Sequence, residues 1–437
     1  MSKKITSALV WFRNDLRVED HRGLNRAIAS YDNVIAYYTF NPSHYGNIRW
    51  GFKKTEKYRA KFLIESIEDL KASLKKLNIT LVIDLKPPQQ TIPQIVKKHH
   101  VKSIYLQKEW TQEELEEEKK VSNAIKDKIS WVRNYEQMLF HPEELPFNIS
   151  QIPEVFGSFR KRCEKDVTIK PVLTLTKPLP SSNLLEKSYE LPHLSDLGLE
   201  STETDHRSAF PFRGGTANAI ERLRLYFWET KKLSYYKNTR NGLVGTDYSS
   251  KFSPWLANGS ISPKMIYWEI KRYEKSIQKN QSTYWLIFEL IWRDYFKYIS
   301  MKHGNKIFKI KGILERDYRW GNSYSVFDSW CEGKTSEPFV NANMIELKQT
   351  GWMSNRGRQN VASFFAKDLK MDWRMGAAYF ESLLIDYDVH SNYGNWMYVS
   401  GVGNDPRDRK FDIQWQAQRY DSNSRFQNLW LQKTLFK

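Results

Sequence analysis

Three serines surround one lysine in the segment from Ser249 to Ser253, which is followed by a proline. Clustered hydroxyls beside the Lys251 ammonium suit an anionic ligand such as a diphosphate, because phosphate oxygens accept charge-assisted hydrogen bonds. Arg293, further along the chain, would add a forked charge. Serines before a proline also cap helices in many proteins, so a helix N-terminus is the alternative interpretation.

One acidic side chain interrupts the otherwise apolar stretch from Tyr284 to Phe296. Burying Glu289 there is costly unless its carboxylate has a partner or a function. Arg293 lies one helical turn later and would be an ion-pair partner at i+4. The residues alone therefore leave a functional acid and a structural ion pair as two open interpretations.

Motifs for metal centres and nucleophilic enzymes do not occur. The nine histidines form no H-E-x-x-H pattern and G-x-S-x-G is absent. Cys163 and Cys331 form neither a disulfide framework nor a zinc site, which suits a reducing cytoplasm. The central apolar run 284–292 is too short to span a bilayer, and the N-terminus lacks the apolar core of a signal peptide.

The chain is basic, and its charge is uneven. Its 437 residues carry a net charge of +18. Residues 1–200 hold 32 basic and 26 acidic side chains, a net of +6, whereas residues 201–437 hold 36 and 24, a net of +12. Twelve of the sixteen tryptophans lie in the second part. A basic, aromatic domain favours nucleic acid or a planar cofactor, although a solvated surface and core tryptophans are the alternatives.

The elements that position these residues begin with an alternation of strand and helix patterns over residues 1–135. Strands are predicted at Ala8–Phe12, Val34–Phe40, Ile79–Ile83 and Ser103–Leu106, and helices at Asp20–Ser30, Glu56–Leu77, Pro93–His99 and Thr111–Lys126. Such alternation predicts an α/β domain with a doubly wound parallel sheet. No G-x-G-x-x-G follows the first strand, so a dinucleotide site of the usual kind is not expected.

The rest of the chain divides into a connector and a helical domain. Eight prolines fall between positions 142 and 211, so residues 136–212 are interpreted as a long inter-domain connector. The pattern after Thr216 is helical throughout, and residues 213–437 are predicted to form an all-α domain. Its helices are expected near 216–231, 263–279, 282–301, 338–349, 356–369, 373–385 and 409–420.

Several long motifs resemble one family in the same order along the chain. They are Leu9–Arg17 and the segments 236–256, 284–296 and 337–407. Together they are similar to the photolyases and cryptochromes, and the resemblance covers nearly the whole chain. The serine-rich segment, Asn395–Tyr398 and the loop 401–407 resemble the DASH cryptochromes in particular.

The resemblance implies that the helical domain holds FAD and uses blue light to drive electron transfer. It implies that Arg358 pairs with Asp386 beneath the isoalloxazine ring and that the Asn392 amide lies opposite the flavin N5. Without the resemblance, residues 386–392 would be interpreted as a helix end followed by a polar turn. The implied cofactor-binding residues are Tyr236, Ser249, Ser250, Lys251, Phe252, Ser253, Trp285, Glu289, Arg293, Trp352, Asn355, Arg358, Asp386, Asp388 and Asn392.

An electron relay and a DNA site are also implied by the resemblance. The relay from flavin to surface would be Trp396, Trp373 and Trp320, with Glu289 and Asn392 as further catalytic residues. Gln359 and Tyr398 stand where duplex-repairing photolyases usually have Met and Trp, which is typical of the DASH group. The implied substrate contacts are Arg240, Trp292, Asn355, Arg356, Gln359 and Tyr398.

These features predict light-driven repair of cyclobutane pyrimidine dimers, preferentially in single-stranded DNA, by electron transfer from reduced FAD. The protein is expected to be a cytoplasmic monomer that does not bind membranes. A blue-light photoreceptor that signals through a partner is the alternative, and a nucleic-acid-binding regulator is a third interpretation. The chain stops about thirty residues after the loop 401–407, and this lack of a signalling tail favours repair.

A second chromophore is implied at one further position. Glu109 lies where an acid of the family contacts a pterin, so the resemblance implies a folate antenna, methenyltetrahydrofolate. An exposed loop acid is the alternative interpretation of this residue.

Overall fold

A computed structural model of the chain describes residues 6–174, 177–405 and 407–432, so Pro406 of the loop 401–407 lies outside the described residues. A five-stranded sheet opens the chain, and all its strand pairs are parallel. The strands are β1 (Ser7–Trp11), β2 (Asn33–Thr39), β3 (Leu81–Asp84), β4 (Val101–Gln107) and β5 (Ser130–Asn134), in the order β3-β2-β1-β4-β5. The helices between them are α1 (Arg22–Ser30), α2 (Lys57–Lys76), α3 (Pro88–Lys98) and α4 (Gln112–Ala124).

Alternating side chains of β1 enter two separate cores, one on each face of the sheet. Ala8 and Val10 pack with residues of α1 and α2, whereas Leu9 and Trp11 pack with residues of α3 and α4. A strand buried on both faces has a continuous apolar sequence rather than an alternating one. The predicted doubly wound sheet is confirmed.

Two elements of this domain differ from the sequence-based expectation. β5 is an additional strand at the edge of the sheet, and its partly exposed residues lack the apolar run of a buried strand. α3 begins at Pro88 rather than at Pro93, which lies inside the helix. A proline is tolerated in the first turn of a helix, so either residue was compatible with the start.

The region between the domains contains a helix that the sequence did not predict, α5 (Phe156–Asp166). It buries Phe156, Phe159 and Cys163 against the core of the helical domain. Short 3-10 turns at Pro142–Glu144, Ile149–Gln151, Ser181–Asn183 and Ser195–Leu197 account for most of its other regular structure. The domain boundaries at residues 135 and 212 stay predictions.

In its described residues, the second part of the chain forms helices and no strand. They are α6 (Thr216–Arg224), α7 (Tyr236–Thr239), α8 (Ser253–Asn258), α9 (Pro263–Ser276), α10 (Gln281–His303), α11 (Tyr324–Cys331), α12 (Pro338–Thr350), α13 (Asn355–Ser363), α14 (Trp373–Leu383), α15 (Val389–Ser400), α16 (Ile413–Tyr420) and α17 (Arg425–Leu431). Single π-helical segments, Leu225–Glu229 and Phe364–Asp368, extend α6 and α13. The predicted helix at 409–420 begins at 413, because Asp412 caps it by accepting the Trp415 N–H.

The longest helix, α10, lies at the centre of the helical domain. Asn280 starts it with a capping box, in which the Asn280 side chain and Thr283 satisfy each other's backbone N–H groups. The helix is buried over most of its length and contacts α5, α7, α9 and α15. In the part of the chain that the structure describes, no helix has the length and apolar character needed to cross a membrane.

Candidate functional site

A cavity of about 490 Å³ opens within the helical domain. Its walls come from the segment before α8, from α10, from the start of α13, and from α15 with the residues before it. Folding thus brings together residues that are far apart in the sequence. The sequence-predicted residues that line it are Tyr236, Arg240, Ser249, Ser250, Lys251, Phe252, Ser253, Glu289, Trp292, Arg293, Trp352, Asn355, Arg358, Gln359, Asp386, Asp388 and Tyr398.

The expected ion pair between Arg358 and Asp386 is present in the cavity wall. One guanidinium nitrogen, Nη2, donates to both carboxylate oxygens of Asp386 at 2.9 Å. The Ser253 hydroxyl donates to the same carboxylate at 2.6 Å, and Arg358 Nε donates to the Met353 carbonyl at 2.9 Å. Because Asp386 is buried, these partners are needed to hold its charge.

The serine-rich segment before α8 presents a buried cation to the cavity. Lys251 is only 2% exposed, and its Nζ has no hydrogen-bond partner among the described residues. The ammonium lies 3.2 Å from the centre of the Tyr248 ring, and burial lowers the pKa of Lys251 well below its usual range. The residue before α8, Phe252, makes no side-chain capping bond, so the capping alternative does not explain these serines. Burial disfavours a charge on this partnerless amine, so an anionic ligand beside Nζ would stabilise its ammonium form.

Glu289 pairs with Arg240 and not with Arg293. The Arg240 Nη2 to Glu289 Oε1 distance is 2.7 Å, and burial raises the pKa of Glu289. Arg293 instead donates to the backbone carbonyls of Gln137 and Leu256. The i+4 ion pair considered from the sequence is therefore wrong, and the carboxylate faces the cavity beside an arginine.

A buried lysine that the sequence did not single out supports Asp388. Lys297 Nζ lies 2.6 Å from Asp388 Oδ2, and Lys297 is fully buried. Although burial alone would raise it, the neighbouring ammonium holds the pKa of Asp388 well below its usual range. Asp388 also caps α15 by accepting the Ser391 N–H at 2.8 Å. The sequence signal for this contact was a lysine one turn after Arg293 in an otherwise apolar helix.

Two aromatic side chains form part of the cavity wall. The rings of Trp292 and Tyr398 are 6.2 Å apart and perpendicular, with an interplanar angle of 89°. Phe156 of α5 stacks on the other side of Trp292, with the ring centres 3.6 Å apart. Gln359 Oε1 is buried and has no partner within the described residues, so this wall combines flat surfaces with a free acceptor.

Three of the predicted cofactor and substrate residues do not line the cavity. Trp285 stacks on Phe288 with ring centres 4.7 Å apart, and Arg356 contacts the Tyr420 ring. Asn392 is buried on α15, and its amide donates to the Ala377 carbonyl at 2.9 Å. The placement of the Asn392 amide opposite the flavin N5 stays a prediction.

The three tryptophans of the expected relay lie in successively neighbouring segments, and two of them are buried while the third is partly exposed. Trp396 is buried and packs so closely on Gly376 that a side chain at that glycine would clash with the indole. Gly376 lies one turn after Trp373, which is fully buried at the start of α14. Trp320 is partly exposed and precedes Gly321, which forms a β-bridge just ahead of Trp373. The order suits an electron relay to the surface, and the transfer itself stays a prediction.

A larger cavity of about 790 Å³ lies between the sheet domain and the helical domain. Its lining includes Trp11, Glu109, Tyr387 and Tyr393, and it shares Ala257 and Asp388 with the first cavity. Glu109 is buried and accepts from the Gln107 and Gln137 amides, so the exposed-acid alternative is wrong. Burial raises the pKa of Glu109 to about 7.

The raised pKa of Glu109 predicts a pH-dependent effect of Glu109→Gln. The Glu109 pKa is about 7 in the folded protein and 4.5 when the residue is exposed. Ionisation therefore lowers the free energy of unfolding as the pH rises from 4.5 to 7. The penalty above pH 7 is about 3 kcal/mol. We therefore expect the variant to gain stability relative to the parent at pH 8 but not at pH 4.5. Thermal unfolding at both values measures this, and an equal difference between the two proteins at both would contradict it.

Comparison with known proteins agrees with this arrangement. Residues 8–182 match the family model for DNA photolyase, and residues 285–434 match the model for the FAD binding domain of DNA photolyase. Cryptochrome DASH from Gloeobacter violaceus is 46% identical over 427 residues, which are 97% of this chain and 85% of that protein. Cryptochrome DASH from Xenopus laevis is 47% identical, over 96% of this chain and 81% of its own length.

The chain belongs to the photolyase/cryptochrome family, within its DASH group. The crystal structure of a Synechocystis cryptochrome matches it with a TM-score of 0.93 and 45% identity, over 98% of this chain and 89% of that one. A class III photolyase from Agrobacterium tumefaciens, at 23% identity and a TM-score of 0.82, shares the fold. Members of the family act in light-dependent DNA repair or as photoreceptors, and this chain carries their FAD-binding domain.

The residues of the smaller cavity fit FAD. The Lys251 ammonium and the neighbouring serine hydroxyls suit the anionic diphosphate. The Arg358–Asp386 pair supplies a fixed polar group in the wall, of the kind that tunes a flavin ring. Among the described residues, no group of three His, Cys, Asp or Glu side chains could hold a metal ion.

Proposed function

We propose that this protein repairs cyclobutane pyrimidine dimers in single-stranded DNA under blue light. The observation that carries the proposal is a set of aromatic and hydrogen-bonding groups in the wall of the smaller cavity. Trp292 and Tyr398 offer flat surfaces, while Glu289 and the unpartnered Gln359 oxygen offer hydrogen bonds. A lesion of two fused bases requires both kinds of contact once it is flipped into a pocket.

The chain's residues would bind, orient and shield the reacting groups. Reduced FAD, when bound, supplies an electron on excitation by blue light, and the electron returns after the two bonds of the cyclobutane ring have broken. The Glu289 carboxylate is held by Arg240 at 2.7 Å in the wall, where it can accept a hydrogen bond from a base. Burial raises the pKa of Glu289, which favours its neutral form and allows it also to donate a proton in a hydrogen bond.

The preference for single strands follows from the cost of flipping. Extruding a dimer from a duplex costs a few kcal/mol, and a single strand avoids most of that cost. The platform beside the lesion is the Tyr398 ring rather than a larger indole. Since stacking contributes roughly 1–3 kcal/mol per base, a smaller platform offsets less of the flipping cost.

Repair of one lesion-bearing oligonucleotide, alone and annealed to its complement, tests the proposal. With FAD reduced beforehand, we expect rapid repair of the single strand under blue light and much slower repair of the duplex. Tyr398→Trp restores the larger platform and should raise the duplex rate relative to the single-strand rate. Equal rates on both substrates would refute the single-strand preference. Absence of repair on either would favour a photoreceptor.

Asn392→Asp is expected to make the reduced flavin harder to maintain. The carboxylate would replace the donor that now bonds to Ala377 O, and its charge would oppose the anion of a reduced flavin nearby. The rate at which reduced FAD reoxidises in the dark measures this. Asn343→Asp is the matched control, because Asn343 is also buried and donates to a backbone carbonyl, that of Phe339 at 2.8 Å, but does not line the smaller cavity. Equal reoxidation in the two variants would contradict a role for Asn392 at N5.

We propose that the inter-domain cavity takes a folate as a second chromophore. The cavity is large, and its lining combines aromatic rings with Glu109, whose raised pKa lets it share a proton with a pterin amide. The absorption spectrum of the purified protein should show a near-ultraviolet band besides the flavin bands. Flavin bands alone, after growth with sufficient folate, would contradict this.

A further inference from the structure

Helix α16 carries aromatic and cationic side chains that the functions above do not use, and they cluster with Arg356 of α13, one of the implied substrate contacts. Trp415 is 48% exposed, and the Arg419 guanidinium lies 5.0 Å from the centre of its ring. The same guanidinium lies 5.8 Å from the Tyr420 ring, and the Arg356 guanidinium lies 4.5 Å from that ring. We call these four residues the α16 platform.

The α16 platform adjoins residues that line the smaller cavity. Arg356 directly follows Asn355, which lines the cavity. Arg356 also donates at 3.2 Å to Asn241, the residue after the lining residue Arg240. Phe411, another lining residue, precedes α16 by two positions. The platform therefore joins the wall of the smaller cavity, the proposed lesion pocket, through Arg356 and Phe411, and its Trp415 ring is exposed.

The positive charge of the α16 platform is not neutralised by the protein. In the described ranges of the chain, neither Arg356 nor Arg419 forms an ion pair with a carboxylate. The hydrogen bonds of Arg356 go to amide oxygens, those of Asn241 at 3.2 Å and Gln416 at 3.4 Å. Two free guanidinium groups interleaved with two rings match the requirements of a nucleic-acid strand, since phosphates attract the charges and bases stack on the flat surfaces.

We propose that the α16 platform binds an unpaired base next to the lesion, with Trp415 as the stacking surface. This inference rests on the proposed function and adds a second, independent contact to it. In a duplex the neighbouring bases are paired and stacked on one another, so only a single strand offers a free base to Trp415. The platform thus contributes to single-strand preference outside the lesion pocket.

Binding of undamaged, fluorescein-labelled dT10 tests the platform without light or repair. We expect Trp415→Ala to weaken binding at least about fivefold, the lower end of what base–aromatic stacking contributes. Trp415→Phe, which keeps a flat ring, should retain most of the affinity. The control is Trp268→Ala, because Trp268 is also partly exposed, at 38%, but lies on α9 and does not line the cavity. The FAD content of each variant shows that it is folded.

Repair of two substrates separates the platform from the lesion pocket. Trp415→Ala should lower repair of a lesion-bearing decamer at limiting substrate but leave repair of a dimer dinucleotide unchanged, since that substrate has no neighbouring base. Unchanged dT10 binding, or an equal loss in Trp268→Ala, would overturn the inference while repair by the parent protein stands. If neither the parent protein nor the variants repair either substrate, the proposed function is wrong. Weaker dT10 binding by Trp415→Ala would then still support the α16 platform as a binding surface.

Discussion

Replacing Trp373 with Phe should abolish most of the photoreduction of oxidised FAD while the flavin stays bound. Trp373 is fully buried, and of its two expected relay neighbours Trp396 is also buried and Trp320 is partly exposed. Phe is much harder to oxidise than Trp, so the substitution interrupts the relay but keeps an aromatic side chain in the core. The decay of oxidised-flavin absorbance under blue light, with an external reductant, measures the effect.

The structure offers a matched control in Trp330. This residue is also fully buried, and its indole N–H donates to the Val361 carbonyl, as that of Trp373 donates to the Ile310 carbonyl. Its ring lies 6.3 Å from that of Trp396, yet it is not part of the expected relay. Trp330→Phe should therefore photoreduce at nearly the parental rate. Equal slowing in both variants would show that the electron does not depend on Trp373 specifically.

Arg358→Ala should cause loss of FAD and a large loss of stability. Removing the guanidinium leaves the buried Asp386 carboxylate with the Ser253 hydroxyl as its remaining side-chain donor. Breaking a buried ion pair from one side costs about 3–5 kcal/mol, and the partial exposure of Arg358 places the expected cost near the lower value. Flavin absorbance after gel filtration and the thermal midpoint measure the two effects.

Arg374→Ala is the control for this prediction. The Arg374 side chain is as exposed as that of Arg358, at 24%, and it pairs with Asp372 at 2.7 Å. Arg374 does not line the smaller cavity, so its loss should leave FAD bound. If both variants retained FAD equally, the Arg358–Asp386 pair would not belong to the flavin site.

Much of the sheet domain follows from its sequence because its strands are buried on both faces. The short apolar runs of β1 and β2 are typical of central parallel strands, whereas the edge strand β5 lacks such a run. In the helical domain, α10 has a long apolar pattern and a capping signal. α15 has no such apolar pattern, since it includes the buried Asn392, which bonds to the Ala377 carbonyl, and Asn395, which lines the cavity. Helices that surround a polar ligand are therefore the hardest to predict from periodicity.

The sequence predicted most of the residues that line the candidate site, but not which of them form ion pairs with each other. The resemblance to family motifs predicted the residues that line the cavity. The spacing of residues could not show that Glu289 pairs with Arg240, which follows the C-terminus of α7. Lys297 was not predicted because one lysine in an apolar helix does not reveal the aspartate that it meets. Partners that come from distant segments depend on tertiary packing, which local sequence patterns do not contain.

The wall that the two cavities share has a thermodynamic consequence. Ala257 and Asp388 line both cavities, and the Lys297 ammonium forms an ion pair with Asp388. Any shift of this wall when one cavity is filled also changes the shape and charge of the other. Linkage then requires that each ligand alters the affinity for its neighbour by the same factor. With FAD in the smaller cavity and the proposed folate in the larger one, any coupling through this wall would be equal in both directions.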